Sequence, residues 1–337
     1  MKNITNKIKI IAEIGVNHCG KISIAKKLID VAKNCEADAV KFQTYITENF
    51  VTKKTKKVKY QLSKKKRTET HFEMLKNLEF NENDFFCLKK YCDKKKIEFI
   101  STPYDLESID VLEKLKVKTY KVASADINDY LLHKKLSRLN KLVIISTGMS
   151  NIQDIKKAVS LYKKNNIELL HCVSSYPCKE EILNLNNILL LKDKFNLKVG
   201  FSDHTKGYEA ALLAYGLGAR TFEKHITLSN KMIGPDHKAS LNPKDFKNYV
   251  IKLKKAEIIL GKKNKILLPE EKEMKRISAK SVTLKNNMKK NQVLTYKNII
   301  MKRPGIGISG FEIKKIIGKK LKKNIEKETQ VRIKDFL

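Results

Sequence analysis

The sequence predicts an α/β fold, a (β/α)8 TIM barrel followed by a small β-rich domain, over 337 residues. Three observations predict it. Eight short apolar runs recur over residues 1–262, each leading into a stretch of helical spacing, and eight such units suit a closed barrel better than an open sheet. Near residue 262 the texture changes: GKKNKILLPEEKEMKR, with Gly261 and Pro269, reads as a linker over 263–277. Residues 278–337 then carry a weak internal repeat at a spacing of 37, in which NNMKKNQVLTYKNI (286–299) lies over KNIEKETQVRIKDF (323–336). The repeat matches Lys290 with Lys327, Leu294 with Val331 and Asn298 with Asp335, as two half-units of a pseudo-symmetric β domain would. A domain of that size is near the lower limit of independent stability and is expected to dock on something.

Taken in order, the strand candidates are IKIIAEIG (8–15), DAVKFQT (38–44), IEFIST (97–102), TYKVAS (119–124), LVIIST (142–147), IELLHCV (167–173), LKVGFS (197–202) and TFEKHIT (221–227). They are rich in β-branched residues and almost unbroken in hydrophobicity, which suits strands buried on both faces. Between them, SIAKKLIDVAKNC, DLESIDVLEKLK and NIQDIKKAVSLYKK place apolar residues at helical spacing, with Asp105 and Asn151 as N-caps.

The formal net charge is +35, and a chain this basic raises the question of nucleic acid. Only six of its 71 basic residues are Arg (67, 138, 220, 276, 303 and 332), which leaves 65 Lys spread over nearly every predicted helix. Arginine is the residue suited to bidentate recognition of phosphates and bases, whereas lysines on solvated faces need no ligand. With no Trp and no stacking motif, no nucleic-acid function is expected, although the charge still attracts anionic substrates. Cys19, Cys35, Cys87, Cys92, Cys172 and Cys178 show no paired metal-type spacing. The N-terminal apolar run is too short for a signal peptide, and no stretch approaches the ~18 apolar residues of a membrane span. A cytoplasmic protein with reduced thiols is expected.

In a barrel of this kind chemistry sits at the C-terminal ends of the strands, and here every strand candidate ends in polar residues. They are Glu13, Asn17 and His18; Lys41 and Gln43; Ser101 and Thr102; Lys121 and Ser124; Ser146 and Thr147; Ser174 and Tyr176; Ser202, Asp203 and His204; and Glu223, Lys224 and His225. Any one of them is most simply a satisfied hydrogen bond; the shared habit of eight points to a site. Lys41 and Lys121 lie in apolar strands, where an unpaired ammonium is costly. An anion neutralises both, and Thr102, Ser124, Ser146 and Ser202 add hydroxyl donors suited to phosphate and carboxylate together. Internal ion pairs with Glu13 or Glu223 and a Schiff base on either lysine are the open alternatives. His204 and His225 end neighbouring strands ~4.8 Å apart, so their imidazoles can chelate one divalent ion and leave positions open for water and substrate. Two histidines make a weak site, which suits labile Mn2+ or Mg2+ better than structural zinc. GPDHKAS (234–240) sets Asp236 on a loop over the mouth, to grip a sugar hydroxyl or to serve as an ordinary turn aspartate.

IAEIGVNHCG (11–20), VKFQT (40–44), STPYD (101–105), YKVAS (120–124), ISTGM (145–149), GFSDHT (200–205), EKHIT (223–227) and GPDHKAS together resemble, in order and spacing, the sialic acid (N-acetylneuraminate, nonulosonate) synthase family. KRPGIGIS (302–309) resembles the antifreeze-protein-like SAF (β-clip) domain of those enzymes, so the resemblance covers essentially the whole chain. It implies that phosphoenolpyruvate binds deep in the barrel, with Lys41, Thr102, Lys121, Ser124, Ser146 and Ser202 on its phosphate and carboxylate. It also implies a divalent metal, Mn2+ ahead of Mg2+ or Co2+, on His204 and His225, polarising the aldehyde oxygen of an open-chain N-acetylated amino sugar. C3 of phosphoenolpyruvate attacks that aldehyde carbon, water adds at C2 assisted by Glu13, and phosphate leaves by C–O cleavage. Glu13, Lys121 and Asp236 are the implied catalytic residues, and Gln43, Tyr176, Asp236 and Arg303 the implied sugar contacts. Arg303 would reach the site from the partner in a domain-swapped homodimer.

N-acetylmannosamine, giving N-acetylneuraminate, is the expected sugar. The alternative is 2,4-diacetamido-2,4,6-trideoxymannose, giving legionaminate, with pseudaminate less expected. Ser174 stands near a position that is often Asn in the family and is left out of the site, and Cys19 and Cys178 depart from the family's usual small or polar residues. Two readings of other kinds remain, a lysine Schiff-base aldolase and a non-catalytic polyanion-binding protein.

Overall fold

The structure, a computed structural model, describes residues 7–58 and 69–337. It divides into two compact units, one ending at Gly261 and the other spanning Lys262–Leu337. In the first, eight parallel strands close into a barrel in chain order: β1 (Lys9–Gly15), β2 (Ala39–Thr44), β3 (Glu98–Pro103), β4 (Thr119–Val122), β5 (Leu142–Ser146), β6 (Ile167–Cys172), β7 (Lys198–Asp203) and β8 (Thr221–His225). Pairing of β1 with both β2 and β8 closes it. The expected barrel is the fold found, and each strand lies within two residues of its predicted bounds.

Local chemistry sets the helix starts between strands. Asp105 accepts from the Ser108 N–H at 2.7 Å to open helix Leu106–Lys114. Asn151 caps helix Ile152–Val159 by accepting from Gln153 and Asp154, while the Asp154 carboxylate accepts from the Asn151 N–H at 3.1 Å. Both caps stand where the sequence puts them.

Side chains alternate along each strand between the helices outside and the barrel interior. Inside, Ile11, Ala39, Ile100, Ile144 and Leu170 form a small apolar cluster. Two residues further along the same strands stand Glu13, Lys41, Thr102, Ser146 and Cys172. A polar layer therefore rests on an apolar floor, and the next step up each strand brings Gln43, Tyr104, Ser174, His204 and His225. On the outer face, Lys224 Nζ lies 3.0 Å from Asp203 Oδ2 across the β7–β8 pairing, both side chains nearly inaccessible. A satellite cluster of Tyr45, Met74 and Leu75, with Phe50 and Tyr104 packed on it, gathers the connection between β2 and β3.

The second unit has its own core of Val282, Leu284, Leu294, Ile316, Leu321 and Val331, and an antiparallel pair, β9 (Ser281–Leu284) and β10 (Ile299–Lys302). Its internal repeat is visible in the hydrogen bonds. Met288 and Ile325, 37 apart, exchange both backbone bonds, at 2.8 and 2.9 Å. Lys290 N–H donates to Asn324 Oδ1 and Lys327 N–H to Asn287 Oδ1, each at 2.8 Å. Asn298 and Asp335 accept from Thr295 and Arg332 N–H in the same way, at 2.9 and 2.8 Å. The two half-units are related by a local twofold. The stretch 263–277 is in part regular: Pro269 opens a helix, Pro269–Ser278, whose Glu271 carboxylate accepts from the Leu268 N–H at 3.0 Å.

Candidate active site

A cavity of about 310 Å³ opens above the polar layer at the C-terminal ends of the strands. Of the residues singled out from sequence, Glu13, Lys41, Gln43, Lys121, Ser124, Ser146, Tyr176, Ser202, His204, His225 and Asp236 all line it. Thr102 stands behind the wall and accepts from Lys41 Nζ at 3.1 Å. Arg303 belongs to the other unit, next after β10.

Four buried charges occupy the floor. Lys41 Nζ lies 2.9 Å from Glu13 Oε2 and 3.9 Å from Glu223 Oε2, and Lys121 Nζ is also 3.9 Å from Glu223 Oε2. The internal ion-pair reading is thus realised for Lys41. Lys121 instead donates to Ser146 Oγ at 2.6 Å and to the Val122 carbonyl at 3.0 Å. Burial, with Lys41 nearby, holds the Lys121 ammonium below its ordinary range despite Glu223. Burial also raises the Glu13 carboxyl to about 7, Lys41 opposing and Glu223 adding to the shift. Glu223 feels the same burial, but the two lysines outweigh it and keep it ionised. One carboxyl is poised to move a proton and the other holds charge.

At the rim, the His204 and His225 ring centroids are 5.7 Å apart, and the Tyr176 ring lies 4.1 and 5.9 Å from them. His204 Nδ1 donates to the Val173 carbonyl at 2.8 Å, so the neutral ring carries its lone pair on Nε2. Burial lowers this imidazole, but Cys172 and the Val173 carbonyl outweigh it and hold it above its ordinary range. His225 Nδ1, Asp236 Oδ1 and Ser174 Oγ are buried without a hydrogen-bond partner among the described residues. Burial, with His204 adding, holds His225 well below its ordinary range, in the neutral form that ligates metals. Asp236 Oδ2 lies 4.0 Å from His225 Nδ1, and burial raises its carboxyl to about 6. Two imidazoles, one of them with an orphaned ring nitrogen, fit a labile divalent ion, although no group of three or more His, Cys, Asp or Glu gathers in a metal-holding cluster among the described residues.

Some lining residues carried no signal as site residues in the sequence. Cys172, which reads as a core hydrophobe, sits 3.6 Å from Ser124 Oγ and 3.8 Å from His204 Nδ1. Behind the lining, Gly148 donates its N–H to Ser124 Oγ at 3.0 Å, and a Cβ there would meet Ser174 Oγ at 2.5 Å. The ISTGM segment holds that glycine because the backbone passes between two serines. Tyr104, Met149, Phe50, His71 and Met74 also line the wall.

The NeuB family model matches residues 28–265, and the SAF domain model matches residues 279–337. This chain belongs to the NeuB family. Among its NeuB relatives, the N,N'-diacetyllegionaminic acid synthase of Campylobacter jejuni is 39% identical over 97% of this chain and 99% of its own length. That of Legionella pneumophila is also 39% identical, over 95% of this chain and 92% of its own. The crystal structure of the N-acetylneuraminic acid (sialic acid) synthetase from Leptospira borgpetersenii, in complex with citrate, is 35% identical with a TM-score of 0.72. It covers 81% of this chain and 93% of that one. In this NeuB chain the small domain that follows the barrel is therefore a SAF domain. No helix among the described residues is long and apolar enough to cross a membrane.

Proposed function

We propose that this chain condenses phosphoenolpyruvate, the open-chain aldehyde of an N-acetylated amino sugar and water into a nonulosonate and inorganic phosphate. The carrying observation is the stack of layers in one cavity: two buried lysines and three serines below, two imidazoles and Asp236 above. Lys121 and Lys41, with Ser124, Ser146 and Ser202, hold the phosphate and carboxylate of phosphoenolpyruvate on the floor. Gln43, Tyr176 and Asp236 orient the sugar above it, so that C3 of phosphoenolpyruvate faces the aldehyde carbon. The new C–C bond forms there, and C2 is left electron-poor. Glu13, with its carboxyl near neutrality, takes a proton from the water that adds at C2, and the C–O bond to phosphate then breaks. His204 and His225 would hold a divalent ion, Mn2+ ahead of Mg2+ or Co2+, which when bound supplies a Lewis acid for the aldehyde oxygen.

For the sugar, the two relatives at 39% identity favour 2,4-diacetamido-2,4,6-trideoxymannose and a legionaminate product over N-acetylmannosamine. The chain is further read as a homodimer in which Arg303 of each SAF domain serves the other subunit's barrel. Phosphate release from phosphoenolpyruvate, assayed with both sugars and Mn2+ and with product mass recorded, tests the reading. Faster turnover of the diacetamido sugar is expected, and release with neither sugar would sink the condensation. Borohydride trapping with pyruvate separates the aldolase alternative, which would leave a covalent lysine adduct.

A further inference from the structure

One chemically competent group at the rim has no part in that reaction. Cys19 Sγ, in the loop after β1, lies 3.2 Å from His237 Nε2 in the loop after β8. His237 Nδ1 in turn lies 2.7 Å from Thr227 Oγ1. Thr227 Oγ1 also meets the Ser229 carbonyl at 3.1 Å, and a proton spent there leaves it to accept from His237 Nδ1. In that tautomer the Nε2 lone pair faces the thiol. A nucleophile, a base within hydrogen-bond reach and a third group orienting the base form the arrangement that activates a side chain for attack. The thiol is partly exposed, whereas Cys35, Cys92, Cys172 and Cys178 are buried. Its backbone is held at φ 53°, a conformation uncommon for a non-glycine residue, by an N–H bond to the Val16 carbonyl.

We propose that Cys19 is a base-assisted nucleophile and a site of covalent modification by small electrophiles, peroxides among them. Burial raises the thiol and pushes His237 down to about 4, so the resting pair is neutral. Both shifts oppose a standing thiolate, and the assistance rests on the 3.2 Å contact through which the proton crosses to Nε2 within the step in which sulfur attacks. With hydrogen peroxide the S–O bond forms as the O–O bond breaks. The departing oxygen takes the proton from His237 and leaves as water. Sulfur is oxidised to the sulfenic acid by two electrons, and the peroxide is reduced by the same two. The modification is coupled to the active site through the loop. His237 follows Asp236, and Ser240 Oγ ties the Asp236 carbonyl to Asn17, at 2.7 and 2.8 Å. A group added at Sγ cannot share a 3.2 Å contact, so it displaces His237 and the adjoining Asp236.

The test is alkylation of the full-length protein by iodoacetamide at neutral pH, read at each cysteine by peptide mass spectrometry. Cys19 is expected to react about tenfold faster than the more exposed Cys87, and His237→Gln to abolish that advantage while leaving Cys87 unchanged. Wild-type protein in which Cys19 reacts no faster than Cys87 overturns the proposal without recourse to any variant. A folded His237→Gln protein that labels at the wild-type rate overturns the role of the base. Under peroxide, phosphate release is expected to fall in step with Cys19 oxidation, and Cys19→Ala to keep its activity. Activity that survives full modification removes the coupling to Asp236. The labelling outcome stands apart from the synthase reading, so the two can fail separately.

Discussion

Lys121 is the cation of the site least committed to a carboxylate: Glu223 lies at 3.9 Å, and the ammonium leans on a hydroxyl and a carbonyl instead. Lys121→Ala is therefore expected to leave the barrel folded and to lower phosphate release by about 10²-fold or more. A folded variant with full turnover would remove Lys121 from the site. Glu13 makes a pH prediction of definite sign. Burial raises its carboxyl to about 7, so the ionised base gains population as pH climbs through that value. Turnover should rise with pH across neutrality, and Glu13→Gln should lower the rate and flatten that limb of the profile; an unchanged limb would assign it to another group. At this scale the sequence was legible where a polar residue interrupts an apolar strand on its inward face, as at Lys41, Lys121 and His225; Asp203 and Lys224 interrupt strands as well, but pair on the outer face. It was silent for Tyr104, Met149 and Met74, whose types are ordinary core residues and whose place in the wall depends on distant packing.

Between residues and fold stand the strand pairs, and β7–β8 carries both histidines of the rim. Behind it the Asp203–Lys224 pair is buried in the outer face, with Lys224 5.3 Å from the Tyr249 ring centroid and also donating to the Thr205 carbonyl. Lys224→Met leaves a buried carboxylate without its cation, and a loss of about 3–5 kcal/mol is expected in urea unfolding. Adding Asp203→Asn should recover a large part of that loss; a single variant as stable as wild type would show that the pair is not what holds β7 to β8. Strands were legible because both faces are buried, so their apolar runs are nearly continuous and end abruptly at the polar layer. The first part of the β2–β3 connection was not. Its helices Thr47–Phe50 and His71–Lys76, which precede the longer helix Glu82–Lys95, are too short to show a period, and they are held by the cluster around Tyr45 and Leu75. The helix within 263–277 escaped for a similar reason, since Gly261 and Pro269 mark an interruption without saying how soon regular structure resumes.

For the whole molecule, each of the two units encloses a hydrophobic core of its own, with no residue shared between the clusters. Deleting residues 276–337 should accordingly leave a barrel that melts cooperatively, while the swapped-dimer reading requires that it lose phosphate release. A fully active truncation would refute the need for Arg303. Loss of activity alone does not say whose barrel Arg303 serves, and mixing two inactive chains decides it. In a swapped dimer, a Lys121→Ala chain offers a sound SAF domain and an Arg303→Ala chain a sound barrel. Their heterodimer holds one complete site of two, so an equimolar mixture after subunit exchange regains about a quarter of the wild-type sites. If Arg303 acts within its own chain, every barrel in the mixture lacks either Lys121 or Arg303, and no activity returns.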